Sequence, residues 1–248
     1  MGAVSTSLVV SLTLPGNTEV AWIEDLADGL AAAIESLTFG AGQCSVVGGD
    51  LGRGREIVVT AAVTGDLQGR DPVLRSGARP GDITAATGPL GLAAGGLAVL
   101  ESSLDCADLG GAEDQELAGL AAAQCRPHPP LHLGPRAAAA GATAMLDVSD
   151  GLVRDAGRIA RASGVGIDLD ARYLAGRARK LSRAATLLGA DPLDWVLGGG
   201  EDHGLLACFP AETELPAGFE WIGEVRDGAG VTVGGKPPQT TGWDHFAG

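Results

Sequence analysis

Asp147, Ser149 and Asp150 stand together in MLDVSDG, residues 145–151, where an apolar run meets the start of a helical pattern. Two carboxylates and a hydroxyl so close together are hard oxygen donors. That set suits Mg²⁺ and, through it, a phosphorylated ligand. If residues 144–148 form a strand, Asp147 and Ser149 share one face, and Asp150 opens the helix. There it either caps free backbone N–H groups or turns its carboxylate toward a metal. A Ser or Asp cap contributes about 1 kcal/mol and would explain one of the three residues. It leaves Asp147 unexplained, because an unpaired carboxylate in an apolar setting is costly.

Two further islands look alike: VVGGD, residues 46–50, and VLGGGED, residues 196–202. Each reads as an apolar strand ending in glycine and acid. Acids at strand ends can point into one cleft, the usual ligand position in α/β sheets, and glycine lets backbone approach a phosphate. Taken singly these islands are weak, since GGD is also a turn and GGGEDH also a hairpin. Glu201 and Asp202 alternate faces, so at most one enters a cleft. Arg75 and Arg79 are candidates for phosphate, although surface arginines usually meet only water. Trp243 either stacks on an aromatic ligand ring or pins the C-terminus. Neither GxSxG nor the P-loop GxxxxGK[ST] occurs, so nucleotide chemistry would depend on carboxylate-held metal and on positioning.

The elements that must position these residues follow from periodicity. Residues 7–15 predict a strand, and Ile23, Leu26, Leu30 and Ile34 share one face of a helix over about 18–37. A short buried strand is expected to break at Gly48-Gly49-Asp50, and residues 56–65 predict another, giving β-α-β-β. The charged, turn-rich stretch 66–82 reads as a domain boundary, with domains at 1–65 and 66–248. Beyond it come a strand in ITAATG and a small-residue helix in GLAAGGLAVLES. A helix over 113–125, a proline-rich loop and a helix or turn over 136–142 follow. After the strand at 144–148, Leu152, Val153, Ala156, Ile159 and Ala160 form one helical face, stopped at Ser163-Gly164. GIDLDARYL predicts a strand with its exit, residues 178–188 a helix, and WVLGGGEDHGLLACFP two strands around a glycine hinge. EWIGEVRDG and GVTVGG predict a terminal hairpin. The order predicts an α/β fold of mixed sheets covered by helices.

Bulk properties narrow the function. The 248 residues are 45% hydrophobic and 19% charged, a globular composition. Seventeen basic against 31 acidic residues give a net charge of −14, which argues against non-specific nucleic-acid binding and anionic membranes. Cys44, Cys106, Cys125 and Cys208 form no CxxC pair and read as incidental thiols of a reducing cytoplasm. The run of Cys125, His128 and His132 is proline-rich and a weak metal candidate. MGAVSTSLVVSL lacks a basic n-region, and its apolar run is too short to span a bilayer. Its formal myristoylation pattern is weakly specific, and the segment reads better as a strand.

The ordered set MGA…LP, VVGGD, RSGARPGD with TGPLG, MLDVSDGL, GGGEDHGLL and GWDHF resembles the thiamine-monophosphate kinase family, in the superfamily of aminoimidazole ribonucleotide synthetase. The resemblance runs from Met1 to the C-terminus. It implies transfer of the ATP γ-phosphate to thiamine monophosphate, assisted by Mg²⁺, directly in line and without a covalent enzyme intermediate. It implies a two-domain fold, here with an incomplete N-terminal domain, and a homodimer with N-terminal sheets packed together and nucleotide near the interface. By the same resemblance Asp50, Asp147 and Asp150 are metal ligands. Gly49, Asp50, Arg75 and Ser149 contact nucleotide, and Glu201 and Trp243 hold the thiamine part.

The chain also departs from that pattern. The family normally begins upstream, with a GDDAA motif, a further acidic segment and an SD-rich helix. Met1 is therefore expected to be an internal methionine, with an exposed sheet edge that lowers solubility. Leu51 follows GGD where threonine is common, and His203-Gly204 replaces a common Tyr-Glu. The alternatives are another ATP-using enzyme of the superfamily, such as a cyclo-ligase, a selenophosphate synthetase or a hydrogenase-maturation protein, and a non-catalytic nucleotide-binding fragment. GGED and GWDHF favour the kinase.

Overall fold

The computed structural model describes residues 1–38, 44–102 and 112–244. The chain folds as two compact units, Gly2–Pro72 and Met1 with Val73–Gly248. The division falls within the turn-rich stretch 66–82, beyond the expected 65/66.

The smaller unit contains β1 (Val4–Leu14), α1 (Val20–Thr38), β2 (Ser45–Arg53) and β3 (Val58–Asp66). Its sheet has the order β2-β1-β3, with β1 parallel to β2 and antiparallel to β3. Alternation along β1 separates two faces. Leu8, Val10 and Leu12 stand opposite Val63, Ala61 and Val59, and Ile23, Leu26 and Leu30 of α1 face Val10 and Leu12 across a hollow. On the other face the Ser7 and Thr64 hydroxyls are 2.5 Å apart, and Ser11 pairs with Thr60.

The short buried strand expected at residues 45–50 is corrected here. β2 is nine residues long, mostly exposed, and runs straight through Gly48-Gly49-Asp50. A Cβ at position 49 would lie 2.0 Å from the Val10 carbonyl oxygen, so this glycine permits pairing and does not break the strand. Gly29, exposed on α1, has no such role, because its Cβ would meet nothing within 4 Å. Gly29→Ala is expected to stabilise the smaller unit by about 0.5–1 kcal/mol, read as a higher urea midpoint.

The larger unit holds β4 (Ile83–Thr87), α2 (Leu92–Glu101), α3 (Ala112–Cys125), α4 (Leu133–Ala139), β5 (Ala144–Val148), α5 (Leu152–Ser163) and β6 (Gly166–Leu169). After these come α6 (Ala171–Arg179), α7 (Ser182–Leu188), α8 (Pro192–Gly198), β7 (Gly204–Phe209), β8 (Glu220–Arg226) and β9 (Gly230–Val233). The sheet order is β5-β7-β4-β8-β6-β9. β7 is buried along its whole length and alternates between two cores. Leu206 and Cys208 join Leu152, Ile159, Leu174 and Val196 on one side. Leu205, Ala207 and Phe209 join Met145, Leu133 and Phe219 on the other. Helices thus cover both faces. At 12 residues, α5 packs Leu152, Val153, Ala156, Ile159 and Ala160 inward and ends at Gly164 with φ 70°, the left-handed stop glycine allows.

Five expectations for this unit need correction. The helix predicted over 136–142 begins earlier, at Leu133, and ends at Ala139. GIDLDARYL is a four-residue strand followed by α6, because Asp170 caps that helix by accepting the Tyr173 N–H at 2.6 Å. The helix predicted over 178–188 is two helices, separated where Lys180 and buried Leu181 turn the chain into the core. WVLGG lies in α8 and the following loop: the Asp191 side chain accepts the Leu193 N–H at 2.9 Å and Pro192 occupies the first turn, a helix start that apolar Trp-Val-Leu masked. The predicted terminal hairpin fails as well. β6 lies between β8 and β9, and Asp168 of β6 staples β9 by accepting the Thr232 hydroxyl at 2.7 Å and the Gly235 N–H at 2.8 Å.

Candidate active site

Two loops meet at one end of the β5–β7 pair. The loop after β5 carries Ser149 and Asp150, and the loop before β7 carries Gly199 to His203. At the last residue of β5 and just past it, the His203 N–H donates to Val148 O and the Glu201 N–H to Ser149 O, each at 2.9 Å. The glycines make this approach possible. A Cβ at Gly200 would lie 2.5 Å from Ser149 O, and one at Gly199 2.3 Å from Trp195 O. Glycine here serves contact between protein backbones. Of the three islands, only MLDVSDG has acids at a strand end: β2 continues through GGD, and GGGED follows a helix.

Asp155, fully buried, fixes the first loop. Its Oδ2 accepts the Ser149 and Asp150 N–H groups at 2.9 and 3.0 Å, and Oδ1 meets Arg158. Burial pushes its pKa up, against the pull of these donors and the arginine charge. α5 has Gly151 at its N-cap, with φ 113° and no side-chain cap. Asp150 is therefore not the helix cap that the sequence offered. Its carboxylate pairs with Arg158.

Asp202 fixes the second loop. It is 3% exposed and accepts the Gly91 N–H at 2.5 Å and the Ala93 N–H at 3.0 Å, capping α2 from a distance. Burial raises its pKa too, opposed by those N–H groups. On either side of it, Glu201 and His203 have φ of 66° and 51°, a left-handed backbone that non-glycine residues adopt only where surroundings impose it. The expectation that at most one of the two acids enters a cleft is corrected: Asp202, turned inward, lines a hollow beside Leu92, Arg126 and His128, and Glu201, turned outward, lines a second cleft.

That cleft has a volume of about 470 Å³ and is lined by Ser149, Glu201, Trp243, Trp195, Asp194 and Thr240, among others. The backbone N–H of Trp243 donates to Asp150 O at 2.8 Å, which holds this residue's main chain beside the first loop. The structure thus gathers Ser149, Glu201 and Trp243. Asp147 is exposed at the end of β5, Asp150 lies in the same loop, and Arg75 is exposed elsewhere on the larger unit. Gly49 and Asp50 lie on β2 of the smaller unit, at the hollow beside α1. Cys44, Cys125 and Cys208 are free, and Cys106 lies outside the described residues, as do His245 and Phe246 of GWDHF.

The family model described as AIR synthase related protein, C-terminal domain, matches residues 79–235. The thiamine-monophosphate kinase of Mycobacterium tuberculosis H37Rv is 47% identical over 248 residues, covering 99% of this chain and 69% of that protein. The chain belongs to the thiamine-monophosphate kinase family.

The Corynebacterium glutamicum thiamine-monophosphate kinase is 37% identical over 253 residues, covering 99% of this chain and 72% of that protein. Among solved structures, AaThiL complexed with AMPPCP and TMP superposes with a TM-score of 0.80 at 31% identity, over 99% of this chain and 75% of that one. E. coli HypE, a hydrogenase maturation protein, reaches a TM-score of 0.61 at 20% identity, over 98% of this chain and 74% of that one, which shows a shared fold alone. Within this kinase fold, Asp155, Arg158 and Trp195 are the site residues that reasoning from sequence missed, together with the capping role of Asp202. An acid five residues after Asp150 on the inward face of α5 was the available signal for Asp155.

Proposed function

We propose that this chain phosphorylates thiamine monophosphate with ATP, giving thiamine diphosphate and ADP. The observation that carries the reading is the cleft joining Ser149, Glu201 and Trp243, within a chain of this family. Trp243 offers a flat apolar face to an aromatic ring. Glu201 offers a carboxylate to a cationic ring or an amino group. α5 opens at Gly151 without a side-chain cap, so its N-terminal N–H groups and dipole favour an incoming phosphate beside Ser149. The loop positions the acceptor phosphate for direct attack, and no nucleophilic enzyme intermediate is required.

Mg²⁺ fits the donors of this loop. Asp147 and Asp150 are hard oxygen ligands, and the cation now facing Asp150 is a guanidinium. No group of three or more His, Cys, Asp or Glu side chains converges among the described residues. Mg²⁺ is commonly held by one or two carboxylates together with phosphate oxygens and water, and this loop supplies that much. When bound, the ion neutralises charge on the phosphates. On the smaller unit Asp50 is proposed as a metal ligand and nucleotide contact and Gly49 as a nucleotide contact, and on the larger unit Arg75 is proposed to contact nucleotide. The domains expected at 1–65 and 66–248 are read as a dimerisation and nucleotide-binding part and a C-terminal part.

A homodimer, cytoplasmic placement and freedom from nucleic acid and membranes complete the proposal. Exposed Leu51, Val59 and Val63 on the smaller sheet support the dimer, the free thiols a reducing compartment, and the net charge of −14 the lack of anionic partners. No described helix is long and apolar enough to cross a membrane.

The test is ADP release together with thiamine diphosphate formation from thiamine monophosphate and Mg·ATP. Absence of thiamine diphosphate would refute the reading. Glu201→Gln and Trp243→Ala are each expected to raise KM for thiamine monophosphate about tenfold, as for loss of one strong polar or stacking contact, and to leave KM for ATP near native.

A further inference from the structure

We propose that Arg158 is a resident cation at Asp150, released when a divalent ion arrives, and that it sets how tightly this loop takes that ion. The proposal rests on the reading of Asp150 as a metal ligand. The Arg158 guanidinium reaches two carboxylates at once, Nη2 to Asp150 Oδ2 and Nη1 to Asp155 Oδ1. The two acids differ in kind. Asp155 has no exposure and spends its other oxygen on the Ser149 and Asp150 N–H groups, so it is committed to the loop whatever else binds. Asp150 keeps 15% of its side chain exposed and caps no helix.

Arg158 itself is 32% exposed. Its second anchor on Asp155 means that releasing Asp150 does not leave the guanidinium unpaired. A divalent ion and the guanidinium compete for the same Oδ2, so the ion must displace Nη2 to bind there. Without Arg158, the acids Asp150 and Asp155 that it joins would share one loop and helix turn with their repulsion unrelieved. The arginine therefore stabilises the metal-free loop and weakens the ion's hold by the same coupling.

Mn²⁺ binding to the full chain, followed by the electron paramagnetic resonance of free Mn²⁺, tests this. Arg158→Gln is expected to tighten Mn²⁺ binding about fivefold or more, the scale of a typical coupling between two sites. Arg158→Lys keeps the charge but cannot fork between two carboxylates, and should fall between. A purely structural arginine predicts the opposite sign, since a loosened loop holds metal less well. Asp150→Asn separates the two readings. If it binds Mn²⁺ as the native chain does, Asp150 is not a ligand, and both readings fall. If it loses the ion while Arg158→Gln binds no tighter than native, the Arg158 proposal alone is overturned. Should Arg158→Gln not fold, nitrogen-15 spectra of the native arginine side chains decide. Mg²⁺ should shift the Arg158 Nη signals at the same half-saturation as ion binding, and signals unmoved at saturation would overturn the exchange.

Discussion

Asp155→Ala is expected to destabilise the larger unit by about 3–5 kcal/mol, as when one partner of a buried ion pair is removed. The carboxylate lies at 0% exposure and serves three donors: two loop N–H groups and the Arg158 guanidinium. Alanine leaves both N–H groups without their acceptor and the guanidinium with one carboxylate, and water has little room to replace it. Asparagine separates these terms. Its amide oxygen can still accept both N–H groups, but its amino group then faces a guanidinium, donor against donor. Asp155→Asn is therefore expected to lie between native and alanine, with the loop kept and the ion pair lost. Urea midpoints of the three proteins check the order. Equal midpoints for native and alanine would mean that the loop is held by other means.

How much of this was legible in the sequence differs from element to element. The strand–helix junction at Asp147 to Leu152 was readable, because apolar strand, polar turn and 3.6-residue periodicity follow one another without interruption. The β-α-β-β order of the smaller unit was readable for the same reason. α8 was not: Trp195, Val196 and Leu197 look like strand residues, and the signals that mattered were Asp191 and Pro192 ahead of them. The place of β9 could not be read either, because adjacency in sequence favours a hairpin, whereas Asp168 fixes the real partner from 64 residues away. At the site, alternation put at most one of Glu201 and Asp202 into a cleft, whereas the fold places them in two different hollows. The reason, Asp202 capping a helix 109 residues earlier in the chain, is a tertiary contact with no local signature. The same holds for glycine: the glycine–acid islands suggested phosphate contact, and the packing at Gly199 and Gly200 shows backbone meeting backbone.

That packing makes Gly200 the most consequential small residue of the cleft. Gly200→Ala places a methyl group 2.5 Å from the Ser149 carbonyl oxygen, a backbone atom that cannot swing aside. Ser149 O also accepts the Glu201 N–H at 2.9 Å, so the clash falls on the bond that docks one loop on the other. Separating the loops moves Glu201 and Ser149 together with their strained neighbours, and an error of about 1 Å in such groups costs roughly a hundredfold in rate. The expected result is a fall of about a hundredfold in kcat/KM for thiamine monophosphate, with about 1–3 kcal/mol lost in stability from overpacking. Gly189→Ala is the comparison. That residue has φ 65° and open space around its Cβ, so alanine there should cost about 1 kcal/mol of backbone strain and leave kcat/KM unchanged. If Gly200→Ala turned over like Gly189→Ala, the docking of the two loops would not be what places Glu201 in the cleft.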